Sequence, residues 1–265
     1  MSPAADAAHA PLAGASVILT RPAGSASALA RQVRARGGQP VLLPGLSLRG
    51  PADADAASRA LDAARGAERV VFVSPAAVRA AWRLCPELRF APAAQIAAVG
   101  TGTARALARR GVRDVLVPAA QQNSDGLLAL PEFADLRGCR VALVGAPGGR
   151  DTLPVTLRER GARLERIEVY RRAPPHWTRR HLAALDVAPK PWLLLISSAE
   201  ALGHLVARLP AGLLAALREA DTIVSSPRLA ALATGQGFAH VHGAASALPA
   251  ALLEAAAHAL GRHRL

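Results

Sequence analysis

Apolar residues along this chain fall into short runs, each followed by a stretch with helical spacing. Val17 to Thr20, Val70 to Val73, Ile96 to Val99, Val115 to Val117, Val141 to Val144, Trp192 to Ile196 and Thr222 to Val224 read as buried strands, with a weaker one at Ala239 to His242. Helices are predicted near Ser25–Arg36, Asp53–Arg65, from Pro75, Thr103–Arg110, Ser124–Leu130, Thr152–Arg160, Ala199–Arg208, Leu213–Ala220, Pro227–Thr234 and Leu248–Leu260. Several of these stop at glycine, as at Gly37-Gly38 and Gly111. Strict alternation of strand and helix predicts parallel α/β sheets with helices on both faces.

The pattern also repeats. Val17, Leu19, Gly24, Leu29, Arg34, Arg36 and Gly37 return about 124 positions later as Val141, Leu143, Gly148, Leu153, Arg158, Arg160 and Gly161. Val73-Ser74 is answered by Ile196-Ser197, and the stretch from Gly111 to Val115 loosely by that from Gly237 to Val241. Two long copies imply two similar domains rather than a solenoid. Ligand pockets favour domain interfaces, so a cleft is expected between the two.

Two extended segments, Val41–Leu48 and Leu164–Arg172, occupy equivalent places in the copies. Pro44 and Gly45 suit an edge or connecting ribbon. If the N-terminal strand and helix fold with the C-terminal third, both segments cross between domains and can pair as a hinge. The expected division is a disordered tail over 1–15, a discontinuous domain over 16–39 plus 173–265, linker strands over 40–48 and 164–172, and a second domain over 49–163.

Charge narrows the partners. With Lys+Arg 32 against Asp+Glu 19, the formal charge is +13, which favours an anionic partner. Lys190 is the single lysine in an Ala- and Arg-rich chain, so compositional bias explains part of that excess. Aromatic residues are only 3% of the chain, too few for a stacking platform for single-stranded nucleic acid. The first fifteen residues lack the basic start and apolar core of a secretion signal. Cys85 and Cys139 have no metal or redox spacing and read as idle thiols in a reducing cytoplasm.

In open α/β sheets ligands sit beyond the carboxyl ends of strands. The turns there are Thr20-Arg21-Pro22, Ser74-Pro75-Ala76, Gly100-Thr101-Gly102-Thr103, Gly145 to Arg150, Ser197-Ser198 and Ser225-Ser226-Pro227-Arg228. Serine followed by proline is good helix capping taken alone. Six such turns along one cleft would suit a ligand with several carboxylates, because helix N-termini bind anions.

The turn Gly100-Thr-Gly-Thr-Ala-Arg105 lacks the third glycine of a dinucleotide fingerprint, and Gly145 to Arg150 lacks the ending of a P-loop. His240 and His242 share a strand face without further ligands. No nucleophile elbow occurs. Tyr170, the one tyrosine, lies in the second crossing and is a candidate general acid.

Together these landmarks resemble the uroporphyrinogen-III synthase family. They are Val17-Ile-Leu-Thr-Arg-Pro22, Pro44, the stretch Phe72 to Val78, and Ala98-Val-Gly-Thr-Gly-Thr-Ala104 with Leu107 and Gly111. Further along come Asp125-Gly-Leu-Leu128, Gly149-Arg150 with Leu153, Leu157 and Gly161, then Val169-Tyr170, Ser197-Ser198 and the stretch Ser225 to Arg228. The resemblance implies two doubly wound parallel-sheet, flavodoxin-like domains joined by a two-stranded β-ladder hinge. It implies a cytoplasmic monomer that cyclises hydroxymethylbilane, a linear tetrapyrrole with eight carboxylates, inverting its last ring and losing water.

No metal or organic cofactor is implied, and a transient hand-over of substrate from hydroxymethylbilane synthase is expected. Tyr170 would assist departure of hydroxide. Substrate binding would fall to Arg21, Ser74, Ala76, Gly100, Thr101, Thr103, Arg150, Ser197, Ser198, Ser225, Ser226 and Arg228, with the three arginines as charge partners. The turn at Ser225–Ala230 departs from the family pattern by lacking a Thr-Ala pair. Two rival readings compete: a non-enzymatic two-domain binder of a small anion, and a basic nucleic-acid-binding protein. The second is disfavoured because the arginines are scattered over many helices.

Overall fold

The structure, a computed structural model, describes residues 10–148 and 151–262. The chain divides into two compact units, residues 1–47 with 173–265 and residues 48–172.

Unit 1 is built on strands β1 (Ser16–Leu19), β2 (Gln39–Leu42), β9 (Trp192–Ile196), β10 (Asp221–Val224) and β11 (His240–Gly243). They lie in the order β11-β10-β9-β1-β2, every neighbouring pair parallel. Counted along the unit this is the 2-1-3-4-5 order of a flavodoxin-like sheet, with its reversal between β1 and β9. Helices are α1 (Ala23–Ala35), α7 (Arg179–Asp186), α8 (Ala199–Arg208), α9 (Ala211–Arg218), α10 (Pro227–Gly235) and α11 (Pro249–Arg262).

Its three central strands, β1, β9 and β10, are buried on both faces, so they read as near-continuous apolar runs rather than alternating. Ile18, Leu194 and Ile196 face one cluster; Val17, Leu19, Leu193 and Leu195 face the other.

Unit 2 carries β4 (Arg69–Phe72), β5 (Gln95–Ala98), β6 (Arg140–Gly145) and β7 (Arg163–Glu168), in the order β5-β4-β6-β7, all parallel. Its helices are α2 (Ala54–Ala63), α3 (Pro75–Leu84), α4 (Thr101–Ala108), α5 (Ser124–Leu128) and α6 (Thr152–Glu159). The run predicted at Val115–Val117 contributes one isolated parallel bridge, Leu116 to Ala97, beyond β5.

Read from that bridge, the unit's own strands run 3-2-1-4-5. Starting the count at β6 turns this into the 2-1-3-4-5 order of unit 1. The two sheets are therefore circular permutations of one arrangement. β1, α1 and β2 of the first repeat correspond to β6, α6 and β7 of the second, and each repeat supplies strands to both units.

Three boundary expectations change. Residues 10–15 are not a loose tail: Leu12 is fully buried beneath α1, and its N–H donates to Arg36 O at 2.9 Å. Residues 1–9 lie outside the described residues. The segments 40–48 and 164–172 are not ladder strands along their whole length. Their first parts, β2 and β7, are sheet edges paired with β1 and β6.

The cause is hydrogen bonding and burial. An extended backbone beside an open parallel edge satisfies its N–H and C=O groups there, and Val41, Leu43, Ile167 and Val169 sink into the cores. Only β3 (Ser47–Arg49) and β8 (Arg171–Ala173) form a separate two-stranded sheet. Helix α7 escapes the apolar pattern because Arg-Arg-His opens it. It is started instead by Thr178, whose N–H donates to His181 Nδ1 at 3.2 Å. Among the described residues no helix is long and apolar enough to cross a membrane.

Candidate functional site

In unit 2 the strand order reverses between β4 and β6, and a crevice opens beyond the carboxyl ends of those strands, where such sheets bind ligands. A cavity of about 320 Å³ lies there, lined by Val73, Val99, Gly145, Ala146, Arg166, Glu168, Tyr170 and Arg172 among others. Its volume is at the low end for small-molecule pockets. Gly145 lets the Val73 side chain pack closely at the base of the crevice, since a Cβ there would stand 2.7 Å from Val73 Cγ2.

Tyr170 follows β7 and is held by burial: its ring packs into the cluster containing Phe72, Val78 and Val144, and the residue is 6% exposed. The Val169 N–H donates to Gly145 O at 2.9 Å, which fixes the chain immediately before it. The phenol oxygen lies 3.2 Å from Ser74 Oγ. Ser74 caps α3 by accepting the Ala77 N–H at 3.1 Å, so the cap also anchors the phenol. A hydroxyl pair on a rigid turn, at the edge of a cavity, can deliver a proton to a leaving oxygen.

The other expected residues are placed as follows. Ala76 lies in the first turn of α3, packed against the core. Gly100 starts α4, and the Thr101 N–H and Oγ1 both donate to Gln122 Oε1, at 3.1 and 2.8 Å. Thr103, in the first turn of α4, is only 3% exposed and does not line the cavity. Arg150 lies outside the described residues.

In unit 1, Thr20 Oγ1 donates to Leu195 O at 2.7 Å, tying β1 to β9 at that unit's own reversal. The Arg21 guanidinium donates to Ala247 O. Desolvation by burial moves its pKa down from the ordinary arginine value, though it stays charged at neutral pH. Ser198 caps α8 and Ser226 caps α10, accepting the Ala201 and Leu229 N–H groups at 3.3 Å each. Ser197 and Ser225 are half-buried beside these caps, and Arg228 is exposed. The Ser74 and Ser226 hydroxyls thus carry the capping role their Ser-Pro sequence suggested, and Ser198 does the same without a following proline. Ser74 and Tyr170 are the expected residues brought into direct contact.

Sequence reasoning missed Arg166, Glu168 and Arg172. With Ile167 and Tyr170 they line the cavity from the end of β7 to β8. The signal was present in Arg-x-Glu-x-Tyr-x-Arg, but treating the whole segment as a linker hid it. Arg166 Nη1 lies 3.9 Å from Asp151 Oδ1. Among the described residues no group of three or more His, Cys, Asp or Glu side chains is arranged to hold a metal. His242 instead bonds Asp221 Oδ1 through Nε2 at 2.6 Å, within unit 1.

These features define a class: an α/β protein of two permuted flavodoxin-like units, with a cavity and paired hydroxyls at a strand-order reversal. The family model of uroporphyrinogen-III synthase HemD matches residues 27–254. The chain belongs to the uroporphyrinogen-III synthase family.

It is 31% identical to uroporphyrinogen-III synthase of Escherichia coli K12 over 159 residues, 60% of this chain and 65% of that protein. It is 28% identical to a putative uroporphyrinogen-III synthase of Methanothermobacter thermautotrophicus over 162 residues, 60% of this chain and 63% of that one. The chain thus spans just under two thirds of these relatives. Among solved structures, uroporphyrinogen-III synthetase of Helicobacter pylori superposes with TM-score 0.58 at 15% identity, covering 94% of this chain and 99% of that one. A mutant uroporphyrinogen III synthase from Thermus thermophilus superposes with TM-score 0.56 at 19% identity, covering 94% and 100%. At these identities the superpositions establish the fold.

Proposed function

We propose that the chain is a uroporphyrinogen-III synthase, a hydro-lyase that cyclises hydroxymethylbilane with inversion of ring D. The observation that carries the chemistry is the Tyr170–Ser74 hydroxyl pair, 3.2 Å apart at the cavity beyond β4 and β6. Family membership supplies the substrate.

In this reading the Tyr170 phenol gives its proton to the departing hydroxyl, which leaves as water while the pyrrole nitrogen donates its electron pair to form an azafulvenium cation. Ring D attacks the cationic carbon through its own substituted carbon, giving a spiro intermediate. That intermediate fragments and recloses with ring D reversed, and the proton lost on rearomatisation restores the phenol. Direct closure at the free carbon gives the unreversed isomer without help. The protein's contribution is therefore mostly geometric, holding the chain so that the spiro route is nearer.

The strand-end turns around Arg21, Ser74, Ala76, Gly100, Thr101, Thr103, Arg150, Ser197, Ser198, Ser225, Ser226 and Arg228 are assigned to substrate carboxylates, several through free helix N-terminal amides. The β3–β8 ladder is assigned the role of hinge. The proposal includes a cytoplasmic monomer, with substrate passed on by the enzyme that makes hydroxymethylbilane.

The test supplies freshly made hydroxymethylbilane and identifies the macrocycle formed. Uroporphyrinogen III formed faster than the background supports the reading, and only the unreversed isomer at the spontaneous rate would sink it.

A further inference from the structure

Four alternate residues of the chain, Arg166, Glu168, Tyr170 and Arg172, line the same cavity. Along the chain they read cation, anion, phenol, cation. Arg166 and Glu168 lie on β7 and Arg172 on β8, a strand of a different sheet, with Tyr170 in the short connection between them.

Their commitments also differ. Arg166 is drawn toward Asp151 at 3.9 Å. Arg172 is exposed and has neither ion pair nor hydrogen bond among the described residues, so its donors are open to a ligand. Glu168 is exposed too and bridges to neither arginine. It places an unneutralised negative charge two residues before the phenol, where a carboxylate of the ligand would be repelled.

We infer that this face sets the register of the bound tetrapyrrole. Arg172 takes a carboxylate on one side of Tyr170, and Glu168 excludes carboxylates on the other side. The position at the phenol is left to the uncharged hydroxymethyl end. Arg172 is here a binding residue and Glu168 a positioning residue, since it acts by rejecting wrong placements.

The inference rests on the tetrapyrrole reading and makes predictions of opposite sign for two exposed side chains. Fluorescence titration with uroporphyrin III, an octacarboxylate, should show Kd raised about tenfold in Arg172→Gln, the loss of one charge-assisted hydrogen bond. In Glu168→Gln, Kd should fall about two- to fivefold, the scale of an exposed charge interaction. Both shifts should shrink in about 0.5 M salt. With hydroxymethylbilane, Arg172→Gln should raise KM, whereas Glu168→Gln should lower kcat despite its tighter binding, because misregistered complexes accumulate. A merely structural role would not move the two variants in opposite directions.

Unchanged Kd in Arg172→Gln, or unchanged or weaker binding in Glu168→Gln, overturns the inference. Isomer analysis of the unaltered chain keeps the two claims apart. Failure to form uroporphyrinogen III removes the synthase reading, whereas its formation with unshifted variants removes only the register assignment.

Discussion

Replacing Tyr170 with phenylalanine separates chemistry from packing. The ring is buried and keeps its neighbours Phe72, Val78 and Val144 in the variant, so no cavity opens. What is lost is one hydroxyl and its 3.2 Å contact with Ser74 Oγ. Ser74 retains the Ala77 N–H, so no backbone donor is orphaned. A hydrogen bond of this kind is worth about 0.5–1.5 kcal/mol net, which lowers Tm by roughly 1–6 °C in a chain of this size.

If the phenol protonates the leaving oxygen, kcat should fall about 10²- to 10⁴-fold, the usual share of general acid catalysis. That corresponds to about 2.7–5.4 kcal/mol in the barrier. The catalytic loss then exceeds the stability loss severalfold, with KM nearly unchanged because carboxylate binding does not depend on a neutral hydroxyl. Turnover is read from uroporphyrinogen III formed, after oxidation to porphyrin and separation of isomers. A kcat within about twofold of the parent, together with the small Tm change, would refute general acid catalysis by this residue. Ser74→Ala is the companion variant: it removes the phenol's anchor and a helix cap worth about 1 kcal/mol, so its kcat should fall by less than that of Tyr170→Phe.

Two further predictions concern the scaffold. Gly126→Ala should lower Tm by at least about 5 °C, since its Cβ would stand 1.8 Å from Gln121 O, and neither backbone can yield without breaking the Asn123 cap of α5; a normal thermal melt would show that this turn relaxes. Glu68 accepts the Arg140 N–H at 2.8 Å, and that bond holds its carboxyl below the usual range. A depressed carboxyl stabilises the fold above its unfolded pKa and loses that contribution as pH falls through its folded one. Glu68→Gln should therefore be less stable at pH 7, with the gap narrowing once pH falls below the ordinary glutamate value and closing as it passes the folded one; a Tm gap that does not narrow in acid would show that the ion is not the source.

The repeat was legible because buried parallel strands leave continuous apolar runs, and Val17–Leu19 and Val141–Leu143 align without gaps. The sheet edges were less legible. β2 contains Pro40 and ends near Pro44, and β7 reads Arg-Leu-Glu-Arg-Ile-Glu, so local composition spoke for ribbons. What decided their pairing was an open neighbouring edge, which belongs to tertiary structure. Leu12 was hidden similarly: one leucine among small residues gives no periodicity, yet it fills the space beneath α1. At the site, Tyr170 stood out by being the lone tyrosine, but its contact with Ser74 spans 96 positions and no local pattern announces it. The start of α4 was read two residues late, at Thr103, because Gly100 and Gly102 look like turn residues after a strand.

The exchange of strands between repeats also orders synthesis. β1 and β2 leave the ribosome first, but β1's other neighbour, β9, pairs Trp192 with Ser16 and lies beyond the whole of residues 48–172. At 5–20 residues per second those 125 positions take roughly 6–25 s to emerge. During that interval the apolar faces of β1 and α1 have no sheet to join, while unit 2 comes off as one uninterrupted stretch and can fold first. The length-dependent cost of closing a loop of that size is about 4 kcal/mol. Once β3 is paired with β8 the two ends of that loop are held together, and the pairing of β1 with β9 closes a much shorter path.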